Sequence, residues 1–572
     1  MESDLGQHQA KQPSVLSRYA TSKNRWIALV FICLGLAIVV IDNTILNVSV
    51  PYILHDLNAP FSDVQWAISG YALTIATVLI PLGRVGDMVG RKKIFLIGII
   101  IFAIGSMLAS VATDTFTLIF GRAIIQAVGA AITLTSVLAI IATEFQGRDR
   151  AIAFGIWGAI IGASATIGPL LGGYLTTFFS WRWSLRINLF IAIVAILGSI
   201  FIRESKTPQK KRFDWPGTIL IGLGLFSLVY AFIQGKQFGW IRSTQPLTIF
   251  GLTWPSRTVS VIPFLFLGSA LLLIGFGFWE RTLERKGGDP LLKISLFRNR
   301  GFSIGLLALL FISFSLFGVF FTLPIYIENV LGYSALTTGI ALLSMTITLF
   351  VVASFTGFLS TTIKIKWIVV MGLFMLAVGT FLLIPSVTQH ATGWTLAPAL
   401  VVFGIGFGLS SAQLNNMVIS SAPLSVASES SATSITMRQI GFSISIAVVG
   451  TLLASALISD VTSTIIADPA IPDAAKVTII SKLQTIDIES GNLSLNASIP
   501  SGVYAAVKQD LEKSLTEATQ SSILSVSFFT VGVAILGFFL PGTIKEQYTK
   551  GPSEGEQTKK EEREQVMLSR VE

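Results

Sequence analysis

The chain has 572 residues, 52% of them hydrophobic and only 12% charged, whereas soluble domains carry about 25% charged residues. With 40 phenylalanines and a net charge of +9, this excludes a soluble enzyme and points to a polytopic membrane protein. Its cations fall in short segments beside apolar runs, where they set topology and meet anionic lipid rather than nucleic acid.

Cys33 is the single cysteine, and His8, His55 and His390 are far apart. No intrachain disulfide, metal cluster or cofactor is expected. There is no nucleophile elbow and no phosphate-binding glycine loop.

In chain order, residues 1–25 form a polar tail, expected in the cytoplasm. The apolar run that follows is too long for a cleaved signal peptide. A span needs roughly 20 apolar residues. Spans are predicted at 26–50 (ended by Pro51), 64–82, 94–111, 116–142, 151–178 and 183–202. Between the second and third lies the stretch 83–93, glycine-rich and polar, with Arg84, Arg91, Lys92 and Lys93. It reads as a hairpin turn held in the cytoplasm by its charge.

A basic loop at 203–213 leads to two further spans, 215–233 and 261–279, joined by an outer loop. The basic segment 280–300 follows, then spans at 302–326, 337–359, 367–385, 394–421, 432–458 and 521–540, and a charged tail from 544. This makes about fourteen spans, with both termini on one side. Alternating loops then place about thirty Lys and Arg inside and about eight outside, as topology requires.

The chain is thus read as an all-α membrane protein. It has a tail (1–25), a six-helix half (26–203), two linking helices with basic loops (204–300), a second six-helix half (301–541) and a second tail (542–572). Faint internal symmetry supports this: Gly357, Lys364 and Lys366 repeat part of the 83–93 pattern, as in transporters built from related halves. The long outer loop, 460–520, reads as two amphipathic helices, 474–486 and 503–520, that either cover the outer opening or form a solvated insertion. Its Asn492 and Asn496 match the glycan acceptor pattern, which means nothing in a bacterial chain, the reading favoured here.

Several polar residues stand inside spans. Asp42, in the first, is costly in lipid, by about 2.5–3.5 kcal/mol on the insertion scale. It either exchanges protons as its surroundings change or packs, partly hydrated, near a helix end. Arg122 and Gln126 lie one turn apart on one face of the fourth span. Arg122 does not deprotonate, so it either answers an anion, with Asp42 the candidate, or snorkels. Gly158-x-x-x-Gly162 and Gly168-Pro169-x-x-Gly172-Gly173 in the fifth span allow close helix approach and a kink.

Arg186 either snorkels outward or gives a cavity a cation. Glu328 is a second titratable group or an exposed acid at the rim. Asn43, Asn47, Trp66, Tyr71, Gln126, Gln413 and Asn416 are candidates to line a substrate cavity.

The run Gly83-x-x-x-Asp87-x-x-Gly90-Arg91-Lys92 resembles the loop signature between helices 2 and 3 of the major facilitator superfamily, with Met88 where the family has Arg. The first-span string around Asp42, Arg122-x-x-x-Gln126-x-x-Gly129, the fifth-span glycines, Trp181-Arg182-Trp183 and Arg438-Gln439 resemble its fourteen-helix drug:proton antiporters. Glu328 stands where that family commonly has Gln. The resemblance covers nearly the whole chain except the tails and the long outer loop.

It implies a proton-coupled exporter of amphipathic or cationic organic compounds in the bacterial cell membrane. Asp42 would couple to protons, Arg122 would assist, and Gly83, Asp87, Gly90 and Arg91 would form a gating loop. The expected partners are small molecules, protons and the bilayer, and the chain is expected to act as a monomer. Export of an endogenous lipid, siderophore or metabolite is the alternative. A non-transporting sensor or scaffold fits the intramembrane Asp42 poorly.

Overall fold

The computed structural model describes residues 25–541 apart from residues 60, 206–211, 250–251, 256–257, 361, 424–425, 468–475 and 477–500. The first bundle comprises α1 (Arg25–Asp56), α2 (Phe61–Val89), α3 (Arg91–Ser110), α4 (Thr115–Glu144), α5 (Gly147–Phe178) and α6 (Trp181–Gly198). Two linking helices follow, α7 (Trp215–Phe238) and α8 (Val261–Arg285). The second bundle is α9 (Arg300–Asn329), α10 (Ala335–Leu359), α11 (Ile365–Ser386), α12 (Gly393–Ser420), α13 (Ala427–Ala467) and α14 (Ser501–Phe538). Thirteen helices among the described residues are long and apolar enough to cross a membrane, and α5, with 32 residues, packs between α1 and α10.

Helix starts are marked by residues whose side chains satisfy orphan N–H groups of the first turn. Asp114, Ser180, Asp214, Ser260, Asn299, Ser334 and Thr392 each accept from a first-turn backbone N–H. Apolar side chains then fill a large buried cluster in each bundle, with smaller ones beside it in the first. Phe95, Phe102, Phe154 and Trp157 lie in the first, and Phe302, Phe314, Phe403 and Phe407 in the second. The bundles meet chiefly where α2 packs on α13 and α5 on α10 and α12.

The stretch 83–93 is not the open turn its polarity suggested. α2 continues through it to Val89, and Gly90 alone separates α2 from α3. Gly90 has φ +119°, and a Cβ there would lie 2.6 Å from Glu204 Oε1. That carboxylate accepts from the N–H groups of Lys92 and Lys93, both at 3.2 Å. Glutamate 204 therefore caps α3 from across the chain, and glycine leaves room for it. Arg25–Asp149, Arg91–Ser205 and Arg84–Asp289 contacts gather the cationic segments on one side of the bundle, referred to below as the basic face.

Three other expectations change. Pro51 does not end α1, which runs through it to Asp56. Residues 503–520 are not a separate amphipathic helix, because α14 starts at Ser501 and runs unbroken into the span. α13 likewise runs past the predicted 458 to Ala467. The helix expected at 474–486, apart from residue 476, and Asn492 and Asn496 lie outside the described residues. The loop between α7 and α8 holds a small antiparallel hairpin, β1 (Leu247–Ile249) and β2 (Leu252–Trp254), with Leu247 opposite Trp254.

Candidate functional site

Asp42 and Arg122 have no solvent exposure. Arg122 Nη1 donates to Asp42 Oδ2 at 2.7 Å, and Nη2 donates to the Asp42 backbone carbonyl at 3.2 Å. The other carboxylate oxygen accepts from Gln126 Nε2 at 2.9 Å and from Asn188 Nδ2 at 2.6 Å. Asn188 also donates to Ser106 Oγ, 2.9 Å away, which donates to the Leu185 carbonyl at 2.8 Å. Beneath this network the Tyr71 ring centroid is 4.6 Å from the guanidinium carbon. Side chains of α4 and α6 thus hold the carboxylate directly, with α3 and α2 behind them through Ser106 and Tyr71, and removing a partner from such a buried pair costs about 3–5 kcal/mol.

The local backbone is shaped for this. Phe120–Gln126 forms a π-helical segment inside α4, and such widened turns recur at functional sites. A Cβ at Gly105 of α3 would lie 2.3 Å from Gln126 N, so only glycine lets α3 approach this segment. The fifth-span glycines divide their work. A Cβ at Gly168 would strike Thr44 Oγ1, and one at Gly172 would come 2.7 Å from the Ile45 carbonyl, so both hold α5 against α1 beside Asp42. Gly158 and Gly162 instead face Ala412 and Leu349 of the second bundle. Gly173 has nothing within 4 Å, and the Pro169 side chain lies outside the described residues.

A second polar cluster clasps the bundles at the basic face. Arg84 Nη1 donates to Glu429 Oε1 at 2.5 Å, with both side chains buried. Asp87 accepts from Ser428 Oγ at 2.7 Å and from Arg91 Nη2 at 2.8 Å, and Arg91 Nε donates to Ser428 Oγ at 3.3 Å. A Cβ at Gly83 would lie 2.7 Å from Ala432 Cβ. Asp289 of the linking segment reaches Arg84 at 3.8 Å.

The structure brings Asp42, Arg122, Gln126 and Tyr71 together, and separately Gly83, Asp87, Gly90 and Arg91. Asn43 is half-buried one residue from Asp42, and the Asn47 side chain lies outside the described residues. Trp66 packs on Tyr230 of α7, ring centroids 5.8 Å apart. The Arg186 guanidinium is 5.6 Å from the Trp183 ring centroid. Glu328 is half-buried at the far end of α9. Gln413 donates to Thr356 Oγ1 at 3.2 Å and to the Ala151 carbonyl at 3.5 Å, and Asn416 donates to Gln413 Oε1 at 3.4 Å. These amides bridge α5, α10 and α12 away from Asp42.

Asn188, Ser106, Ser428 and Glu429 were not among the candidates. Asn188 follows Trp181-Arg182-Trp183 in the stretch that resembles the family's sixth span, but that match assigned it no role. Glu429 hid in a serine-rich stretch that gave no periodicity.

The chain is similar to a probable actinorhodin transporter of Streptomyces coelicolor, 30% identical over 77% of this chain and 74% of that one. It is similar to a puromycin resistance protein of Streptomyces alboniger, 34% identical over 67% and 73%, and to the multidrug resistance protein Stp of Mycobacterium tuberculosis, 28% identical over 82% and 83%. Among solved structures, the proton:xylose symporter XylE has the same fold, with TM-score 0.56 at 12% identity, covering 91% of this chain and 96% of that one. The model of the Major Facilitator Superfamily matches residues 32–446; the chain belongs to that superfamily and is a membrane transporter, not an enzyme.

Proposed function

We propose that the chain is a proton-driven exporter of amphipathic organic compounds, with the basic face in the bacterial cytoplasm and protons traded for cargo at Asp42. The observation that carries this is a fully buried carboxylate answered by a cation that keeps its charge, with two amides donating to its other oxygen. Protonating Asp42 removes the charge that holds Arg122. Arg122 is then free to swing, and the helices pinned through Asp42 loosen together. If cargo favours the ionised form of the site and protons the other, binding one expels the other.

The halves, 26–203 and 301–541, would rock about a midplane seam. The cluster of Arg84, Asp87, Arg91, Ser428 and Glu429 would latch the basic side while the opposite side opens. Relatives named for antibiotic resistance and multidrug resistance support export. The Streptomyces coelicolor relative, named for actinorhodin, supports a second reading in which the cargo is a compound the cell itself makes. Comparing culture media of a deletion strain and its parent separates the two.

The test uses inverted vesicles with an imposed proton gradient. A panel of amphipathic compounds, cationic and anionic, is added in turn. At least one should partly collapse the gradient, and Asp42→Asn should abolish the response while the protein stays in the membrane. A wild-type response from Asp42→Asn refutes the coupling role.

A further inference from the structure

A further arginine, half-buried, stands in the seam between the bundles, apart from both clusters above. Arg438 lies about 16 Å along α13 from Ala427, Trp157 about 15 Å along α5 from Gly147, and Ser411 about 14 Å along α12 from Ser420, at 1.5 Å per residue. All three starting points are at the basic face. The three residues therefore share one level, near the middle of an apolar layer about 30 Å thick.

Arg438 stands over the Trp157 ring, guanidinium carbon 5.2 Å from the centroid. Its Nη2 donates to Ser411 Oγ at 2.7 Å. Neither Arg438 Nε nor Trp157 Nε1 has a hydrogen-bond partner among the described residues. Arg84, Arg91 and Arg122 are each held by a carboxylate. Among the described residues no carboxylate lies within 4 Å of Arg438.

The chemistry of this trio is one-sided. A guanidinium offers five N–H donors and no acceptor, and an indole offers one N–H. Ser411, having accepted from Arg438, keeps its own hydrogen to give. A permanent cation at mid-depth is expensive, and such residues line substrate paths. Donors grouped over an aromatic face select a partner that is flat, rich in acceptors and negatively charged.

We propose that Arg438, Trp157 and Ser411 form the cargo-recognition site, and that it takes a planar aromatic acid, a carboxylate or an ionised phenol, whose anionic group meets the guanidinium. Trp157 comes from one bundle and Arg438 and Ser411 from the other, so a ligand here touches both moving halves. Asp42 lies about 26 Å along α1 from Arg25, well beyond this level, so cargo and proton occupy different places. α5 joins them. Its Trp157 meets Arg438, and its Gly168 and Gly172 rest on α1 on the turn that carries Asp42. The role as cargo site rests on the export reading; the preference for an acid does not.

The test is binding of anthraquinone-2-carboxylate and its methyl ester to the purified full-length protein in lipid nanodiscs, by calorimetry. The wild type should bind the acid about tenfold more tightly than the ester, as a charge-assisted contact requires. Arg438→Gln should erase that ratio. Arg438→Lys should keep part of it, since a point charge remains without the planar fork. Trp157→Phe, which keeps a ring but loses the N–H, should weaken acid binding by about threefold.

Equal wild-type binding of acid and ester overturns the proposal, as does an unchanged ratio in a monodisperse Arg438→Gln protein. If Arg438→Gln does not fold, unaltered ratios in both other variants overturn it equally. Acid preference without gradient-driven movement of the acid in proteoliposomes would remove the export reading and leave this site standing. Gradient-driven movement without acid preference would do the reverse.

Discussion

Glu429→Gln is the sharpest probe of the clasp at the basic face. Arg84 is 2% exposed and Glu429 1%, with Nη1 and Oε1 2.5 Å apart. The amide keeps the shape and removes the charge, leaving Arg84 buried beside a neutral group and only the more distant, partly exposed Asp289. Taking one partner from a buried pair costs about 3–5 kcal/mol. Because the pair joins the two bundles, that cost falls on the clasped state and not on the parted one. Even about 3 kcal/mol shifts the equilibrium between them by roughly a hundredfold.

The reporter is a thiol at Ser431, which is fully buried behind the clasp, in a Cys33→Ser background that removes the chain's single cysteine. Maleimide labelling is followed in vesicles that present the basic face to the medium. Glu429→Gln should speed labelling by about a hundredfold. The double variant with Arg84→Gln should fall between it and the parent, because no uncompensated charge then remains. A labelling rate unmoved by Glu429→Gln, with full labelling after denaturation, would refute the claim that this pair holds the bundles together.

Other substitutions test the packing around Asp42. Tyr71→Phe should be neutral or slightly stabilising in thermal unfolding, since the hydroxyl has no partner among the described residues, while Tyr71→Ala should cost about 3–5 kcal/mol by emptying the space under Arg122. Gly168→Leu should abolish transport by prising α5 from α1, and Gly173→Leu, facing nothing within 4 Å, should transport normally in the same vesicles. Gly90→Ala must hold a side chain at φ +119° against Glu204; it should lower stability by about 1–2 kcal/mol, read as a lower unfolding temperature in detergent.

The helices were legible because lipid demands long apolar runs whatever their tertiary partners, and each predicted span falls on a helix. The ends were less so. Polarity at 83–93 suggested a turn, yet Asp87 and Arg84 are polar because they face another bundle, not water. At 503–520 the amphipathic pattern was real, but its apolar face packs on a neighbouring helix and it leads straight into the span. The partners of Asp42 followed the same division. Gln126 was visible because it sits one turn from Arg122, a local relation. Asn188 comes from 146 residues away in sequence, a proximity that periodicity does not encode. Arg438 could be matched to a pattern, but its lack of a carboxylate could be seen only in three dimensions.

α13 has 41 residues and α14 has 38, about 60 and 57 Å at 1.5 Å per residue. Leu511 and Leu515 share a buried cluster with Leu457 and Val461, so the two surplus ends run side by side. α13 begins at the basic face, and the pair must therefore stand well clear of the headgroups on the other side. Most small transporters vanish inside a detergent or nanodisc belt when imaged. Here a double rod breaks the symmetry of the particle and gives electron microscopy a built-in landmark for alignment, without a bound antibody fragment.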